Sequence, residues 1–600
     1  MDSEQRRKRK RIGRTYSKAH YLSLRSFVLC LFFLVFLLFL SSDWFSIGTV
    51  SFRPALRAST TLSLLSSSAS SSVLDSFDKR FLPLRVEDRI MFPDHVLLMV
   101  SSKNSESEEL ECVYYKFLNG SDELLEDKRR SQEVSLRPVL STDQYDAFRS
   151  IVRCPLPPAN YSAAAVDLRR RRKGHLGDYD LSVRTNQTAH WWEKVVYEAV
   201  LDGDTVIVFA KGLNLRPHKI SDPTKLRCHF GFGNWGTDEG FVLTTKAVSA
   251  SQEIVRCLLP RSIVNNGERI QGIRVTVSNS NANPRAQGHE PMPSAARIYS
   301  SKTEKSKRNR SKHELCVCTM LWNQASALRE WIMYHAWLGV ERWFIYDNDS
   351  DDGIEEVIKE LESQNYNVSR QSWPWIKAQE AGFSHCALKA RDECNWVGFF
   401  DVDEFFYFPS AFRHPKGYGL PGQDLLKSMV ANFSSSTTIA EIRTACHSFG
   451  PSGLRSHPPQ GVTVGYTCRL QSPERHKSIV RPDLLDISLL NVVHHFQLRE
   501  GFRYLNVLES TAMINHYKYQ VWETFKAKFF RRVATYVVDW REDQNKGSKD
   551  RAPGLGTQAI EPLNWRLRFC EVWDTGLRDF LLAYLADSAT GLLPWERSPL

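Results

Sequence analysis

In the carboxyl-terminal half of the chain, short apolar runs alternate with stretches whose apolar residues recur at helical spacing. The runs at 314–322 and 342–346 have the length and composition of strands that are buried on both faces. Helical spacing follows them at 323–338, where Gly339 suits a helix C-cap, and at 354–364. This alternation of strand and helix predicts an α/β domain with a parallel sheet.

The next strand along the chain is followed by three acidic residues. An apolar run at 397–400 leads to Asp401, Asp403 and Glu404, and aromatic residues resume at Phe405. Ligands of open α/β sheets bind beyond the carboxyl ends of the parallel strands. The sequence therefore predicts three carboxylates where a site of this fold class is built.

Further elements complete the predicted domain. The pattern predicts strands at 368–375, 438–443, 492–496 and 511–519, helices at 381–394, 424–431 and 521–540, and helical spacing around 565–585. In the strand at 492–496, His494 and His495 would lie on opposite faces. We therefore expect an α/β domain over 313–550 and a helical tail over 551–600.

The amino-terminal half carries an internal repeat between residues 93 and 293. Asp-His-Val-Leu-Leu-Met-Val at 94–100 resembles Asp-Thr-Val-Ile-Val-Phe-Ala at 204–210. Ile-Val-Arg-Cys-Pro-Leu-Pro at 151–157 closely matches Ile-Val-Arg-Cys-Leu-Leu-Pro at 254–260. Short strands at this spacing, with turn residues between them, suggest two β-sandwich modules.

Cysteine usage indicates disulfide bonds rather than zinc. The twelve cysteines include no CxxC pair. Each copy of the repeat holds two cysteines, which in an oxidising compartment are natural pairs, Cys112–Cys154 and Cys228–Cys257. Cys30 lies in an apolar amino-terminal run, and the other eleven cysteines leave at least one thiol unpaired.

The amino terminus has the pattern of a membrane anchor. Residues 27–40 are apolar without interruption, and with their apolar neighbours over 26–47 they approach the roughly 20 residues that span a bilayer. Such a run also suits a signal peptide, but the region before it is long and no clear cleavage site follows. We expect a signal anchor with residues 1–25 as a basic cytosolic tail, a Ser-rich stem at 48–92, and the remainder in the lumen.

Charge and sequons fit a luminal protein of several domains. The 600 residues are too many for one core, and the net charge of +11 is concentrated in basic runs such as 302–312. No nucleic-acid-binding motif accompanies these runs, which favours solvated faces and a linker at 294–312. The sequons expected to carry glycans are Asn119, Asn160, Asn186, Asn367 and Asn432.

Three tryptophans of the β-rich region are candidates for stacking against sugar rings. They are Trp191, Trp192 and Trp235. Large aromatic side chains more often pack in a core or between domains, and this alternative stays open for each of them.

The acids after the run at 397–400 indicate a metal or ligand site. Aromatic residues flank them, and buried carboxylates cost several kcal/mol unless a cation compensates. Carboxylate oxygens suit hard divalent ions such as Mn²⁺ or Mg²⁺. A loop of solvated acids is the alternative.

The acidic loop at 347–353 does not fit an EF-hand, because Lys359 stands where a bidentate Glu is required.

The sequence Phe-Phe-Asp-Val-Asp-Glu-Phe at 399–405 resembles the DxD motif of GT-A glycosyltransferases, and more closely the plant branch of glycosyltransferase family 92. The resemblance covers roughly residues 312–540. It implies a single-pass type II Golgi enzyme with a GT-A domain that transfers a sugar from a UDP-sugar to a glycan acceptor, with inversion and with Mn²⁺ or Mg²⁺. Characterised relatives are β-galactosyltransferases, including galactan synthases, so galactose is the leading donor sugar. The repeated amino-terminal region departs from that branch.

The resemblance assigns a metal site to three residues. Asp401 and Asp403 belong to the DxD motif, and the family has an aromatic–His–Tyr element that matches His516 and Tyr517. We therefore expect Asp401, Asp403 and His516 to hold the metal. Without the DxD motif, a lone His516 would be interpreted as a core histidine.

The resemblance also suggests residues that contact the substrates. Asp347, Arg391 and Lys518 would contact the donor nucleotide and its diphosphate. Glu441 would be the general base that deprotonates the acceptor hydroxyl. The alternatives are a plain turn at Asp347, a surface ion pair at Arg391 and a solvent-facing position for Glu441.

Two other function classes fit parts of the sequence. An inactive transferase-like domain would leave a carbohydrate-binding or scaffolding protein, against which the intact Asp401, Asp403 and His516 argue. A metal-dependent phosphohydrolase would need two adjacent metals and more His and Asp ligands at site spacing than the sequence contains.

Overall fold

The computed structural model describes residues 84–101, 110–116, 134–162, 165–171, 179–181, 189–216, 218–231, 243–264, 270–279, 291–298, 311–413, 422–492, 494–528 and 561–597. The expected cytosolic tail, anchor and most of the stem lie outside these residues, as do Asn119, Asn186 and Trp235. Among the described helices, none is long and apolar enough to cross a membrane. All described residues belong to one compact unit, Arg80–Leu600.

The first β-rich module consists of two packed sheets. Its strands are β1 (Arg85–Met91), β2 (His95–Ser101), β3 (Leu110–Tyr115), β4 (Val134–Pro138), β5 (Ser141–Gln144), β6 (Arg149–Pro155), β7 (Asp167–Arg171), β8 (Tyr179–Leu181) and β9 (Ala189–Trp191). The strand orders are β5-β6-β2-β1-β9 and β4-β3-β7-β8. A disulfide between Cys112 on β3 and Cys154 on β6 links the two layers.

The second β-rich module is built on one sheet. Its elements are β10 (Val195–Asp202), β11 (Thr205–Lys211), β12 (Ile220–Ser221), β13 (Leu226–Gly231), β14 (Leu243–Ser251), β15 (Ile254–Leu258), the short helix α1 (Arg261–Val264), β16 (Ile273–Asn279) and β17 (Arg297–Ile298). The strand order is β10-β11-β15-β14-β13-β16-β17, and β12 pairs with β14. A disulfide joins Cys228 on β13 to Cys257 on β15.

The strands that revealed the repeat are buried on both faces. In β2, the even-numbered residues pack into the core of the first module, whereas Leu97 and Met99 pack into a core shared with the α/β domain. In β11, Ile207 and Phe209 contribute to the same shared core. Burial on both faces explains why each strand is a continuous apolar run.

The β-rich region extends beyond its predicted boundaries at both ends. Strand β1 lies in the predicted stem, and β17, which pairs with β16, lies in the predicted linker. The charges of β1 are buried in ion pairs: Asp88 lies 2.7 Å from Arg274, and Arg89 lies 2.6 Å from Asp167. Hydropathy does not distinguish a buried ion pair from solvated charges, so the sequence pattern predicted a flexible segment here.

The α/β domain is built on one mixed sheet of order β20-β19-β18-β21-β25-β23-β29-β22, with β28 beside β23. Strands β18 to β21 pair in parallel, as predicted, and β25 is antiparallel to β21. The elements are β18 (His313–Leu321), α2 (Ala325–Trp337), β19 (Arg342–Asp347), α3 (Ile354–Ser363), β20 (Val368–Ser372), α4 (Gln379–Ala390), β21 (Cys394–Phe399), β22 (Glu404–Tyr407), α5 (Pro409–Arg413), α6 (Leu425–Ser434), β23 (Ile439–Ser448), α7 (Val462–Gly465), β24 (Cys468–Arg469), β25 (Arg475–Val480), β26 (Asn491–Val492), β27 (His495–Phe496), β28 (Arg503–Asn506), β29 (Met513–His516), β30 (Val572–Trp573) and α8 (Gly576–Tyr584).

Two predicted elements differ in the structure. The strand expected at 492–496 is a tight hairpin of β26 and β27, because His494 adopts a positive φ of 73° at the turn. The predicted tail is part of the α/β domain rather than separate from it. Phe580 of α8 stacks on Phe412 at a ring distance of 3.7 Å.

Three further disulfides lie in the α/β domain. Cys316 and Cys318 are two residues apart on β18 and therefore share one face of the strand, where they form bonds to β21 and α4. One more bond ties the carboxyl-terminal segment to β24. The pairs are Cys316–Cys394, Cys318–Cys386 and Cys468–Cys570. Of the cysteines that the structure describes, Cys446 is free and buried.

Candidate active site

The turn after β21 brings three carboxylates to one edge of the α/β sheet. Asp401 and Asp403 lie in the turn and Glu404 begins β22. Because β21 is parallel to β18, the turn leaves from the carboxyl edge, as the sequence predicted. The backbone N–H of Asp401 donates a hydrogen bond to Oε2 of Glu404 at 3.0 Å, which stabilises the turn.

Lys477 of β25 lies between two of these acids. Its Nζ is 2.8 Å from Oδ2 of Asp401 and 2.9 Å from Oε1 of Glu404, and its side chain is only 5% exposed. The same ammonium donates to Nε2 of His494 at 2.9 Å. Burial and the charge of Lys477 lower the pKa of His494 to about 3, so the imidazole is neutral and can accept this bond.

Asp403, in the turn before β22, lies close to His516 at the end of β29. His516 lies opposite Glu404 in the antiparallel pair β22–β29. Nε2 of His516 is 3.3 Å from Oδ2 of Asp403, and Nδ1 of the same ring is 3.5 Å from Oε1 of Glu404. Lys528 forms an ion pair with Asp403. The imidazole is thus held between two carboxylates, with one ring nitrogen facing each.

Two lysines, Lys477 and Lys528, lower the pKa values of the aspartates in this cluster. Burial alone would raise the pKa of Asp401 and of Asp403, but the charges of Lys477 and Lys528 outweigh it and hold both pKa values well below their ordinary value. Burial raises the pKa of Glu404 despite the opposing charge of Lys477. Asp401 and Asp403 are therefore ionised and suited to bind a cation.

These side chains line a cavity, which we call the acidic cavity. Its acidic wall consists of Asp401, Asp403 and Glu404, and His516 and Lys518 lie beside them. A second part of the lining consists of Asn348, Trp375, Lys377, Ala378 and Gln379. The cavity thus combines carboxylates, imidazole and ammonium groups with an aromatic wall.

Both β-rich modules support the part of the lining that contains Trp375 and Lys377. Nε1 of Trp375 donates to the hydroxyl of Tyr145 in the first module at 3.1 Å, and this hydroxyl donates to Glu198 in the second module. Nζ of Lys211 donates to the backbone carbonyl of Lys377 at 3.1 Å. The modules therefore help to form the cavity rather than being a separate appendage.

The tryptophans of the β-rich region have different positions. Trp192 is buried and stacks on Trp375 at a ring distance of 5.5 Å, so it packs between domains. Trp191 is 64% exposed at the end of β9. Of the two, Trp191 alone has a surface that a sugar could contact.

Two residues expected to bind the donor do not line the acidic cavity. Asp347 is buried and accepts a hydrogen bond at 2.7 Å from Arg370, which also binds Asp143 of the first module. Arg391 forms an ion pair with Asp202 of the second module. Arg391 therefore holds the α/β domain to the second module directly, and Asp347 does so for the first module only through Arg370.

Glu441 is likewise away from the lining of the cavity. Its carboxylate is buried beneath Arg443, which donates to it at 2.9 Å, and His495, whose Nδ1 lies 2.9 Å away. Burial raises the pKa of Glu441, but the hydrogen bonds from His495, Arg443 and Ser478 outweigh it and hold the pKa below its ordinary value. The predicted base is therefore enclosed by its own partners.

The described sequons fall into two groups. Asn160, Asn367 and Asn432 are exposed and accessible to a glycan. Asn348, for which the sequence analysis assigned no glycan, lines the acidic cavity and donates to the backbone carbonyl of Trp373 at 2.7 Å.

The sequence indicated no role for several charged or imidazole side chains of the acidic cavity, among them Lys477, His494, Lys528 and Glu474. Lys477 carries a signal in retrospect, because it stands in a strand that ends in apolar residues. A lysine at such a position needs an acidic partner if it is buried. Glu474 and His494 come from a loop and a turn, where the pattern has no period, and Lys528 lies in a helical segment within the helix predicted at 521–540.

A family model and two closely similar proteins point to the same family. The family model described as glycosyltransferase family 92 matches residues 311–565. A family 92 protein of Ricinus communis is 62% identical over 600 residues, covering 100% of both chains, and one of Arabidopsis thaliana is 56% identical over 602 residues, covering 99% of each. A galactan β-1,4-galactosyltransferase of Arabidopsis thaliana is 26% identical over 207 residues, 32% of this chain and 37% of the relative.

Similarity to solved structures is weaker. A glucosyl-3-phosphoglycerate synthase from Mycobacterium tuberculosis, in complex with Mn²⁺, UDP and glucosyl-3-phosphoglycerate, aligns with 29% of this chain and 58% of that chain. The sequence identity is 13% and the TM-score is 0.18, too low to carry an argument about function.

Proposed function

Because this chain belongs to glycosyltransferase family 92, we propose that it transfers a sugar from a UDP-sugar to a glycan acceptor, using a divalent metal held by Asp401, Asp403 and His516. The α/β domain would act as a GT-A domain. The observation that carries the proposal is the meeting of these three side chains in one cavity at the carboxyl edge of the sheet.

The donor atoms fit a hard divalent ion. Two ligands at right angles on one ion, each ~2.1 Å from it, lie about 3 Å apart. Nε2 of His516 and Oδ2 of Asp403 are 3.3 Å apart, which is close to that spacing. The other nitrogen of the ring faces Glu404, and a carboxylate behind a ligating histidine is the usual means of fixing its orientation. We therefore assign Glu404 to orienting His516.

A second set of possible ligands fits less well. Glu404, Cys446 and His516 offer ligand atoms that lie within 4.8 Å of one another. Burial raises the pKa of the Cys446 thiol well above its ordinary value, so the sulfur stays protonated. A protonated, soft sulfur is a poor ligand for Mn²⁺ or Mg²⁺. Asp401 and Asp403 are the better partners of His516.

The residues of the cavity suit a diphosphate leaving group. When bound, the metal would supply positive charge to the UDP that departs. Lys518 lines the cavity beside His516, and Lys477 and Lys528 lie within the acidic cluster. Fixed ammonium groups stabilise charge that develops on the departing phosphate oxygen. The wall around Trp375 would limit the access of water to this site.

Relatives support a more specific proposal. Two of them are named galactan β-1,4-galactosyltransferases, which favours galactose as the donor sugar and a β-galactosyl product formed with inversion. We place the protein in the Golgi membrane as a type II protein, because residues 26–47 have an anchor pattern and basic residues precede them.

The test is turnover of the donor by the purified full-length chain. UDP release would be measured with a panel of UDP-sugars in Mn²⁺ and in EDTA, for the wild type and for Asp403→Ala. We expect Mn²⁺-dependent release from one sugar nucleotide and its loss in the variant. Folded, glycosylated protein that neither binds nor turns over any donor would favour a binding protein instead.

A further inference from the structure

A second depression, which we call the side groove, adjoins the acidic cavity. Arg443, Asn506, Leu508 and Glu509 lie along it. Three consecutive residues, Glu474, Arg475 and His476, line both the side groove and the acidic cavity. The two depressions thus share these lining residues, which would lie next to a group bound in the groove and next to a group bound in the cavity.

Glu474 is the carboxylate at this junction. Of the described residues, it alone among the acids lines both depressions. Its side chain is 31% exposed, so a ligand can reach it, and Nζ of Lys518 lies 3.2 Å from Oε2. The hydroxyls of Ser448 and Tyr519 also donate to it. These donors hold the carboxylate in one orientation.

The same bonds connect Glu474 to the metal-binding cluster. Ser448 lies opposite His516 in the parallel pair β23–β29, and Lys518 follows His516 by two residues. Burial raises the pKa of Glu474, but the charge of Lys518 and the hydrogen bonds outweigh it and hold the pKa below its ordinary value. Glu474 is therefore an ionised carboxylate beside the site where the donor would react.

We infer that the side groove binds the glycan acceptor and that Glu474 is the base that takes the proton from the attacking hydroxyl. This inference rests on the proposed function. It replaces Glu441, which is enclosed by Arg443 and His495 and does not line the acidic cavity.

The groove has the chemistry of a sugar-binding surface. Leu508 is 72% exposed and offers an apolar surface to the face of a ring. Asn506, Glu509 and Arg443 supply donors and acceptors for hydroxyl groups. Groups of both charge signs and a neutral amide suit an uncharged, hydroxyl-rich chain better than a strongly acidic one.

The step balances as a single displacement. The carboxylate of Glu474 accepts the proton of the acceptor hydroxyl while the oxygen of that hydroxyl forms a bond to the anomeric carbon of the donor. The bond from that carbon to the diphosphate oxygen breaks, and its electron pair leaves with UDP. Attack from the side opposite to the leaving group inverts the anomeric carbon, and Glu474 later releases the proton to solvent.

Glu474→Gln tests the base directly, because it keeps the size and the accepting oxygen but does not take up a proton. Full-length chain would be assayed for UDP release with water alone and with β-1,4-galacto-oligosaccharide, and for UDP binding in Mn²⁺. General base catalysis contributes roughly 10²–10⁴-fold. We expect a loss of turnover in that range, with UDP affinity within about threefold of wild type and recovery of turnover by added formate in Glu474→Ala.

Two variants serve as controls. Glu509→Gln changes a carboxylate of the side groove that does not line the acidic cavity, and it should raise the KM for the acceptor. His476→Asn changes the other possible proton acceptor at the junction, and it should lose less turnover than Glu474→Gln.

Each other outcome overturns the inference. If Glu474→Gln turns over at the wild-type rate, Glu474 is not the base. If that variant loses affinity for UDP, Glu474 binds the donor instead. Loss of turnover in His476→Asn, but not in Glu474→Gln, transfers the role to the histidine. Wild-type protein that binds UDP but turns over nothing, even with water, also counts against an assembled base. Failure of the wild type to bind UDP at all is a failure of the proposed function.

Discussion

Lys477→Met is expected to destabilise the protein strongly. Lys477 pairs with both Asp401 and Glu404, at 2.8 Å and 2.9 Å, and its side chain is 5% exposed. Methionine fills a similar volume but carries no charge. Both acids then lose the ammonium that balances them in a buried site, which is a costlier change than the loss of a solvated ion pair.

The size of the effect follows from the burial of each partner. Removing one member of a buried ion pair costs about 3–5 kcal/mol. The lower end applies here, because Asp401 keeps 33% exposure and water can solvate it in part. In a domain of about 150–250 residues, 1 kcal/mol shifts Tm by about 2–4 °C, and the shift is smaller in a larger unit such as Arg80–Leu600, so a loss of ~3 kcal/mol corresponds here to roughly 6 °C or less.

Lys427→Met is the matched control. Nζ of Lys427 is also 2.8 Å from a carboxylate, that of Glu341, but its side chain is 36% exposed. Exposed pairs contribute ~0–1 kcal/mol, so the shift in Tm should be smaller than that of Lys477→Met. Scanning calorimetry of the full-length chain measures both. Equal shifts in the two variants would refute the reasoning that burial, rather than the ion pair itself, sets the cost.

Two further predictions concern the supporting modules and the buried histidines. Tyr145→Phe removes the hydroxyl between Trp375 and Glu198, and it should lower the free energy of unfolding by ~1–3 kcal/mol and raise the KM for the donor. The control is Tyr114→Phe, which loses a hydrogen bond within the first module and should lower Tm without changing that KM. A raised KM in Tyr114→Phe as well would contradict the prediction. Burial lowers the pKa of His335 to about 3, whereas an unfolded histidine titrates near ~6.5. Between about pH 3 and about pH 6.5 only the unfolded chain binds a proton at this histidine. The stability that the neutral His335 contributes is therefore fully present above about pH 6.5, and it declines toward pH 3 by up to ~1.4 kcal/mol per pH unit. The slope of Tm against pH should be shallower in His335→Gln, and an unchanged slope would contradict this assignment.

The α/β domain and the acidic edge could be predicted because their signals are local. Strands buried on both faces are continuous apolar runs, and the order of strands and helices implies parallel pairing. The same logic places Asp401 and Asp403 at the carboxyl end of β21, as the structure has them. His516 depended on a family resemblance, since nothing in its own strand indicates that it faces Glu404 across β22 and β29.

The roles of several charged residues could not be predicted, because they depend on partners that are distant in the chain. Arg391 faces Asp202 because the second module packs against the α/β domain, and Asp347 pairs with Arg370 of the neighbouring strand, which in turn binds Asp143 of the first module. One sequence carries no signal of that packing. For the same reason the buried charges of β1 were predicted to be solvated. A charged residue takes its role from the group opposite to it, which hydropathy does not record.

The central claim is that Asp401, Asp403 and His516 hold a metal to which the donor binds. Calorimetric titration of UDP into the full-length chain, in Mn²⁺ and in EDTA, tests it most directly. We predict binding in Mn²⁺ that is lost in EDTA and in Asp403→Asn. Equal affinity for UDP with and without metal, or an unchanged affinity in Asp403→Asn, would contradict the account.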